Sequence, residues 1–207
     1  MKVAATVKSN KRLEGTKQYI DKLQENNSKL NIVRVDFSYK KPHSDKITLE
    51  EANRDLDRMM NNRRSKPSIF KDQLGYAFKR EYTVDKGVHF HAMFIYDGQK
   101  VQKSAFKGDQ IGEYWGEITK EKGSYHNCNR NTYNNNGIGM LDHKDSKKRK
   151  VLDDVVVSYL CKDDENQSID PIKEDKNSRA FTRGIAPKSK SKSKSKIGRP
   201  RSGSENK

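Results

Sequence analysis

The segment "GVHFHAMFIYDG", from Gly87 to Gly98, places two histidines two residues apart within an apolar run. Alternate residues of a β-strand point to the same face of a sheet, so His89 and His91 project together if this run is a strand. Two imidazoles on one face can offer ring nitrogens to one metal ion. The same spacing also suits two structural histidines at a sheet margin, and both interpretations stay open at this point.

A possible third ligand lies in the strand-like run that precedes the histidines. The sequence "VDKG" between the two runs predicts a hairpin with a three-residue loop, residues 85–87, whose glycine adopts the left-handed conformation. This register places Glu81 opposite His91 and Thr83 opposite His89. One carboxylate and two imidazoles on one face form a ligand set suited to Mg²⁺ or Mn²⁺.

A tyrosine and a lysine follow in "VVVSYLCKDDE". If this segment is a helix, Tyr159 and Lys162 share a face, which Val151 and Val155 extend towards the core. The lysine could then lower the pKa of the phenol or neutralise phosphate charge, while a metal polarises a phosphodiester that the phenol attacks. Three consecutive β-branched valines also allow a strand, in which Tyr159 and Lys162 would face opposite ways.

The elements that must position these residues can be read from hydrophobic spacing. The stretch "LNIVRVDFSY" alternates between apolar and polar residues as a half-buried strand does. Apolar residues at helical spacing, in one case after a capping box formed by Thr48 and Glu51, predict helices over residues 10–28, 48–64, 103–119 and 147–165. A further short strand is predicted after the Asn-rich loop. Strands separated by helices indicate an α+β fold with a central antiparallel sheet and helices packed on one of its faces.

Five other residues have weaker signals. Asp36 lies on the polar side of the first predicted strand, where it either makes a structural hydrogen bond or reaches the site. Tyr114 and Trp115 fit a core better than a base-stacking surface. His126 and His143 lie in polar surroundings without a strand pattern, and we expect both at the surface.

The charge of the chain points to a phosphate-rich partner. The formal net charge is +16 over 207 residues, with 44 Lys and Arg against 28 Asp and Glu. Such an excess favours nucleic acid, because Lys and Arg displace its condensed counterions. An anionic membrane surface would also attract it, but no apolar stretch approaches the ~20 residues that cross a bilayer. We therefore expect a cytoplasmic protein with reduced cysteines at positions 128 and 161.

The basic residues are concentrated in a tail, residues 187–207, which carries eight Lys or Arg and one Glu. It has almost no apolar residues to bury, so the composition predicts a disordered arm. Such an arm either binds DNA phosphates or only keeps the protein soluble. The candidate DNA-binding residues are Lys188, Lys190, Lys192, Lys194, Lys196, Arg199 and Arg201.

Taken in order, these motifs resemble the HUH endonuclease superfamily of rolling-circle replication initiators. The segment "HFH" is similar to its His–hydrophobic–His motif, and "YLCK" is similar to its tyrosine-lysine motif. A closer resemblance is to the inovirus replication-protein family, which includes prophage proteins with a YagK/YfjJ C-terminal domain. The stretches that carry it span about residues 30–188 and are "VRVDFSY", "KGVHFHAMFIYDG", "YWGEIT", "YLCKDDE" and "RAFTRGIAPK".

The predicted organisation is an N-terminal helical segment (residues 1–29), a central domain (30–186) and the tail (187–207). For the central domain the resemblance implies an HUH-type fold with a sheet like that of an RNA-recognition motif. It implies a metal-dependent nick in single-stranded origin DNA, with Tyr159 as the nucleophile and a 5′-phosphotyrosine intermediate. Phage or prophage origin implies a bacterial cytoplasm. The chain has no G-x-x-x-x-G-K-[ST] loop, so helicase and polymerase would come from the host. The alternatives are a single-tyrosine transposase with the same chemistry and a non-catalytic DNA-binding regulator.

Overall fold

An antiparallel sheet forms the centre of the protein. Its strands are β1 (Lys29–Tyr39), β2 (Gln73–Thr83), β3 (Gly87–Asp97), β4 (Gly123–Asn127), β5 (Gly139–Asp142) and β6 (Phe181–Arg183). The computed structural model describes residues 7–188, and in this part of the chain the strand order is β4-β1-β3-β2-β6, with β5 also paired to β1. The predicted α+β class and central antiparallel sheet are therefore confirmed.

The β2–β3 hairpin has a different register from the one predicted. The loop consists of residues 84–86, and Thr83 pairs with Gly87, so Glu81 lies opposite His89 rather than His91. Gly87 is left-handed as predicted, with φ of 68°, and this conformation lets it close the loop as a paired residue. The pairing is displaced by two residues, an even number, so Glu81 stays on the face that carries both histidines.

Three helices cover one face of the sheet: α2 (Leu49–Asn61), α3 (Pro67–Phe70) and α4 (Ser104–Ile118). A short 3₁₀ turn, Asn62–Ser65, joins the first two. The capping box predicted for α2 is present, since Thr48 and Glu51 each bond the backbone of the other. On α4, Trp115 is fully buried and stacks on Phe37 of β1 at a centroid distance of 4.9 Å.

Helices also cover the opposite face, which contradicts the expectation that they pack on one face. This second layer contains α1 (Val7–Asn26), α5 (Ser146–Val151), a π-helix (Leu152–Val157) and α6 (Ser158–Cys161). The reason is that Ile32 of β1 and Ile95 of β3 are as buried on this side as Val33 and Phe94 are on the other. Both faces are therefore apolar at this end of the sheet and need cover.

The segment that leads to Tyr159 is helical, as predicted for residues 147–165, and not the alternative strand. It is, however, not one regular helix. The wider turn of the π-helix changes which residues share a face, so Val155 is 48% exposed instead of facing the core. Val156 and Val157 are the valines buried there. The helix then ends at Cys161, one residue before Lys162.

The two ends of the chain differ in what the structure describes. Helix α1 contributes Tyr19, Ile20 and Leu23 to the second core. Of the predicted DNA-binding tail, Lys188 is exposed and residues 189–207 lie outside the described part of the chain. Within residues 7–188, no helix is both long and apolar enough to span a membrane.

Candidate metal and tyrosine site

One face of the sheet changes from apolar to ionisable along its strands. On the side covered by α1 and α6, core residues such as Met93 give way to charged and imidazole side chains from three adjacent strands. These are Arg34 and Asp36 on β1, Lys79 and Glu81 on β2, and His89 and His91 on β3. They meet because strand pairing sets His91 between Asp36 and Lys79.

Glu81, His89 and His91 converge on one point. Each offers a ligand atom within 4.8 Å of the others, and the residues are only 1%, 7% and 9% exposed. The Nε2 atoms of His89 and His91 lie 3.4 and 2.8 Å from the same Glu81 carboxylate oxygen, Oε2. Donor atoms that share an ion at ~2.1 Å lie roughly 3 to 4 Å apart, so this spacing fits a divalent cation.

The outer nitrogens of both histidines are already engaged. His91 Nδ1 lies 2.9 Å from the carboxylate of Asp36, and His89 Nδ1 lies 3.0 Å from the carbonyl oxygen of Gly87. Because Nδ1 of each ring faces these acceptors, Nε2 of each ring faces Glu81, where it can give up its proton and become a metal ligand. Metal-ligating histidines are held in this way, whereas a purely structural pair has no need for both Nε2 atoms to meet at one carboxylate.

The carboxylates of this cluster stay ionised. Burial opposes ionisation of Glu81, but hydrogen bonds from His89, His91 and Lys79 outweigh it and hold its pKa far below the usual range. Burial likewise opposes ionisation of Asp36, yet the hydrogen bond from His91 and the charge of Arg34 lower its pKa to about 2. The site therefore presents a charged carboxylate to a cation at neutral pH.

Tyr159 stands over these residues from α6. Its hydroxyl lies 3.0 Å from Nε2 of His91, and the residue is 40% exposed. Burial raises the pKa of the phenol to about 12, and the charges of Glu81 and Asp36 act in the same direction. The phenol thus combines access from solvent with direct contact to a candidate metal ligand.

A family match covers most of the chain. Residues 2–181 match the family model of the YagK/YfjJ C-terminal domain. The chain belongs to this family. No curated protein and no solved structure matches the chain. The segment matched to the YagK/YfjJ C-terminal domain contains every residue of the site from Arg34 to Tyr159, so the site is part of the family domain and not an addition to it.

Lys162, predicted beside Tyr159, lies outside the helix. Its backbone is extended, with φ −65° and ψ 135°, and its half-exposed side chain points to Asp164, with an Nζ–Oδ2 distance of 3.9 Å. The helical spacing that motivated the pairing therefore does not apply. The assistance of Lys162 in catalysis stays a prediction.

Two other cations flank Tyr159, and the sequence interpretation missed both. Lys79 Nζ lies 5.0 Å from the centroid of the Tyr159 ring, and the guanidinium carbon of Arg34 lies 5.5 Å from it. The available signal was alternation: Lys79 precedes Glu81 by two residues and Arg34 precedes Asp36 by two. Each cation therefore shares a strand face with a carboxylate of the site.

The aromatic residues and histidines with weaker signals have the burial that the sequence predicts. Trp115 and Tyr114 are buried, and His126 and His143 are exposed. Asp36, for which a structural or a functional contact was open, reaches the site through His91. Beyond Lys162, the side chain of Gln167 covers Glu81; with its amide nitrogen turned inward it donates to Oε1 at 3.1 Å.

Proposed function

We propose that this protein nicks and rejoins single-stranded DNA through a tyrosyl intermediate, as a metal-dependent rolling-circle replication initiator of the HUH type. The observation that carries the proposal is the 3.0 Å contact between the Tyr159 hydroxyl and Nε2 of His91. The contact supports the proposal because a partly exposed phenol touches one of three side chains that could hold a metal ion. The family match is neutral on this point, because it names a domain and no activity.

Glu81, His89 and His91 would hold a Mg²⁺ or Mn²⁺ ion, which when bound supplies Lewis-acid polarisation of a phosphate oxygen. The chain's own contribution is to position the ligands. Asp36 and the Gly87 carbonyl fix both imidazoles with Nε2 inward, and Lys79 pairs with Glu81 from the neighbouring position on β2. These contacts hold the ligand set rigid before any substrate arrives.

Tyr159 is the group placed to attack the phosphodiester. Its phenolic oxygen forms a bond to phosphorus as the bond from phosphorus to the 3′ oxygen breaks. The proton that the phenol loses is matched by the one that the 3′ hydroxyl gains, so the step consumes no water. The resulting 5′-phosphotyrosine ester retains the energy needed to rejoin the strand, since attack by a 3′ hydroxyl reverses the reaction.

The charge of the chain supports DNA as the substrate. Removing the +7 of residues 187–207 from the total of +16 still leaves +9 on residues 1–186. An excess of that size attracts a polyanion without reference to sequence. Tyr159 as a residue is also 40% exposed, which would allow a flexible single strand to reach a site whose candidate metal ligands are almost fully buried.

The decisive experiment is capture of the covalent adduct from a pool of random single-stranded oligonucleotides in Mn²⁺. Oligonucleotides labelled at the 3′ end should move with the protein on a denaturing gel, whereas a 5′ label should leave on a shortened fragment with a free 3′ hydroxyl. This asymmetry follows from a 5′-phosphotyrosine bond. An adduct that keeps the 5′ label would contradict the proposed direction of attack.

Tyr133 provides a matched control for Tyr159. It is 39% exposed, against 40% for Tyr159, but its hydroxyl donates to the Cys128 carbonyl and not to a metal ligand. Tyr159→Phe should bind DNA and form no adduct, and Tyr133→Phe should form it at the wild-type rate. Mass spectrometry that maps the nucleotide to Tyr133, to Tyr125 or to no tyrosine would overturn the assignment. A protein that binds DNA but never forms an adduct would instead be a non-catalytic regulator.

A further inference from the structure

Arg34 is a buried arginine with an unused donor. The residue is only 9% exposed, and one Nη atom donates to Asp36 at 2.8 Å. Its Nε is buried and has no hydrogen-bond partner among the described residues. Buried donors without a partner are rare in folded proteins because they lose their hydration and gain nothing in return. A buried guanidinium with an open donor therefore needs an explanation other than stability.

The position of Arg34 indicates what the missing partner is. Its guanidinium carbon lies 5.5 Å from the centre of the Tyr159 ring, and Lys79 Nζ lies 5.0 Å from the same ring. Both residues are more than nine-tenths buried and come from strands on either side of β3. An anion bound beside the Tyr159 ring would therefore lie close to two fixed positive charges.

The charges of the site lead to the same conclusion. The cations Arg34 and Lys79 are balanced by the carboxylates Asp36 and Glu81, so these four side chains are neutral together. A divalent cation on Glu81 and the histidines adds two positive charges. The reaction brings in two negative charges, one on the phosphodiester and one on the phenolate as it forms. Once a divalent cation is bound, the site returns to neutrality only when phosphodiester and phenolate are both present.

We propose that Arg34 and Lys79 form a binding site for one non-bridging oxygen of the attacked phosphodiester, with Arg34 donating through its free Nε. This proposal rests on the proposed function only in taking Tyr159 as the nucleophile. Arginine suits the role because its planar guanidinium can hold Asp36 on one edge and keep a second donor in a fixed direction. Lys79 contributes charge, and its bond to Glu81 keeps it beside the ring.

The first test measures the binding of an oxyanion without DNA chemistry. Orthovanadate, a phosphate mimic, is titrated calorimetrically into the full-length protein in Mn²⁺. We expect wild type to bind it, Arg34→Met to bind it at least about 10-fold more weakly, and Arg34→Lys to fall between, because lysine keeps the charge and loses the fixed fork. Equal affinity in wild type and Arg34→Met, or no binding by wild type, overturns the proposal.

The second test measures the rate of adduct formation on single-stranded DNA. Removing one donor to a transition-state oxyanion typically slows a reaction by about 10²–10³-fold. We expect such a loss in Arg34→Met, with DNA affinity changed much less than the rate. If wild type binds vanadate but forms no adduct, the oxyanion site stands and the proposed function fails. If wild type forms the adduct and Arg34→Met does so equally fast, the proposed function stands and the role of Arg34 fails.

Arg80 is the matched control for the loss of a buried arginine. It is 8% exposed and lies on β2, and its Nε and Nη1 donate to Asn53 and Thr182. Arg80 lies on the opposite face of the sheet, since its side chain alternates with Lys79. Arg80→Met should lower the melting temperature and leave vanadate affinity and adduct rate per folded molecule unchanged. A parallel loss in both variants would mean that Arg34 is only structural.

Discussion

His91 and Asp36 lie directly opposite each other on β3 and β1, and Nδ1 of the imidazole is 2.9 Å from the carboxylate. Because the strands pair in this register, the ring is held by a residue far away in the sequence. The contact directs Nε2 towards Glu81, 2.8 Å away. The orientation of His91 as a candidate metal ligand therefore depends on a residue outside the group of Glu81, His89 and His91.

We expect Asp36→Asn to weaken the binding of Mn²⁺ by about 10- to 100-fold, the range typical for loss of a partner that orients a metal-bound histidine. The amide can still accept a hydrogen bond, but it no longer stabilises positive charge on the ring. Isothermal titration with Mn²⁺ measures the change. Asp55→Asn is the control, since Asp55 lies on α2 and accepts a hydrogen bond from Tyr39 of β1, away from the candidate metal ligands. Unchanged affinity in Asp36→Asn would show that His91 needs no such support.

Replacing both His89 and His91 by alanine should abolish the stabilisation that Mn²⁺ gives to the fold. A ligand at 100 times its dissociation constant adds about 2.7 kcal/mol of stability, because it binds only the folded state. Wild type should therefore melt at a higher temperature in Mn²⁺ than in EDTA, and the double variant should not. His126→Ala, an exposed histidine opposite Asp36 on β4, should keep the full shift. A shift that survives in the double variant would place the ion elsewhere.

The sequence alone predicted which residues of the β2–β3 hairpin share the site. It did not predict the residues that a distant strand brings to it. Strand alternation alone put Glu81, His89 and His91 on one face, and the two-residue error in register did not change that face. The contribution of Arg34 could not be predicted, because it depends on β1 pairing with β3 rather than with its neighbour in sequence. Such pairing is determined by the packing of the whole sheet.

The helical segment before Tyr159 shows a second reason why the sequence alone did not predict the whole site. Hydrophobic spacing assumes a regular helix with 3.6 residues per turn, whereas the π-helix Leu152–Val157 has a wider turn. The face occupied by Val155 was therefore predicted wrongly, and the end of the helix at Cys161 removed Lys162 from the predicted pair. Nothing in the local spacing marks this irregularity.

The buried thiol of Cys128 should make part of the stability depend on pH. Burial raises the pKa of this thiol to about 11, so the folded state keeps its proton above the pH at which an unfolded thiol loses it, about 8.5. Above that pH the unfolded state binds fewer protons, and stability falls until the folded thiol titrates. The difference in unfolding free energy between wild type and Cys128→Ala should therefore shift in favour of the alanine variant from pH 8 to pH 10.5. Urea denaturation at each pH measures it, and a constant difference would contradict the burial effect.

Deleting residues 187–207 should weaken DNA binding and flatten its dependence on salt. Each phosphate contact with single-stranded DNA contributes about −0.7 to the slope of log K against log[salt], and the deletion removes eight Lys or Arg. The loss should be the same for unrelated sequences, since lysines that contact phosphates do not read bases. Fluorescence anisotropy at several salt concentrations tests this, and an identical slope after deletion would show that the tail does not contact DNA.

Lys79 and Lys162 are the two candidates for the lysine that assists Tyr159, and their surroundings differ. Lys79 is 6% exposed, 5.0 Å from the Tyr159 ring and paired with Glu81, whereas the side chain of Lys162 is 46% exposed and 3.9 Å from Asp164. A charge acts more strongly on a nearby anion when both are shielded from solvent. We therefore expect Lys79→Met to slow adduct formation more than Lys162→Ala, which should slow it without abolishing it.

The comparison of these two lysines must separate a charge effect from loss of the metal, because Lys79 also contacts a metal ligand. Adduct rates are therefore measured over a range of Mn²⁺ concentrations. If Lys79 acts on the reacting phosphate, saturating Mn²⁺ will leave Lys79→Met slow, whereas a role confined to Glu81 would let the rate recover at high Mn²⁺. A larger defect in Lys162→Ala at saturating metal would mean that the residues after Cys161 rearrange when DNA binds, bringing Lys162 to the phenol.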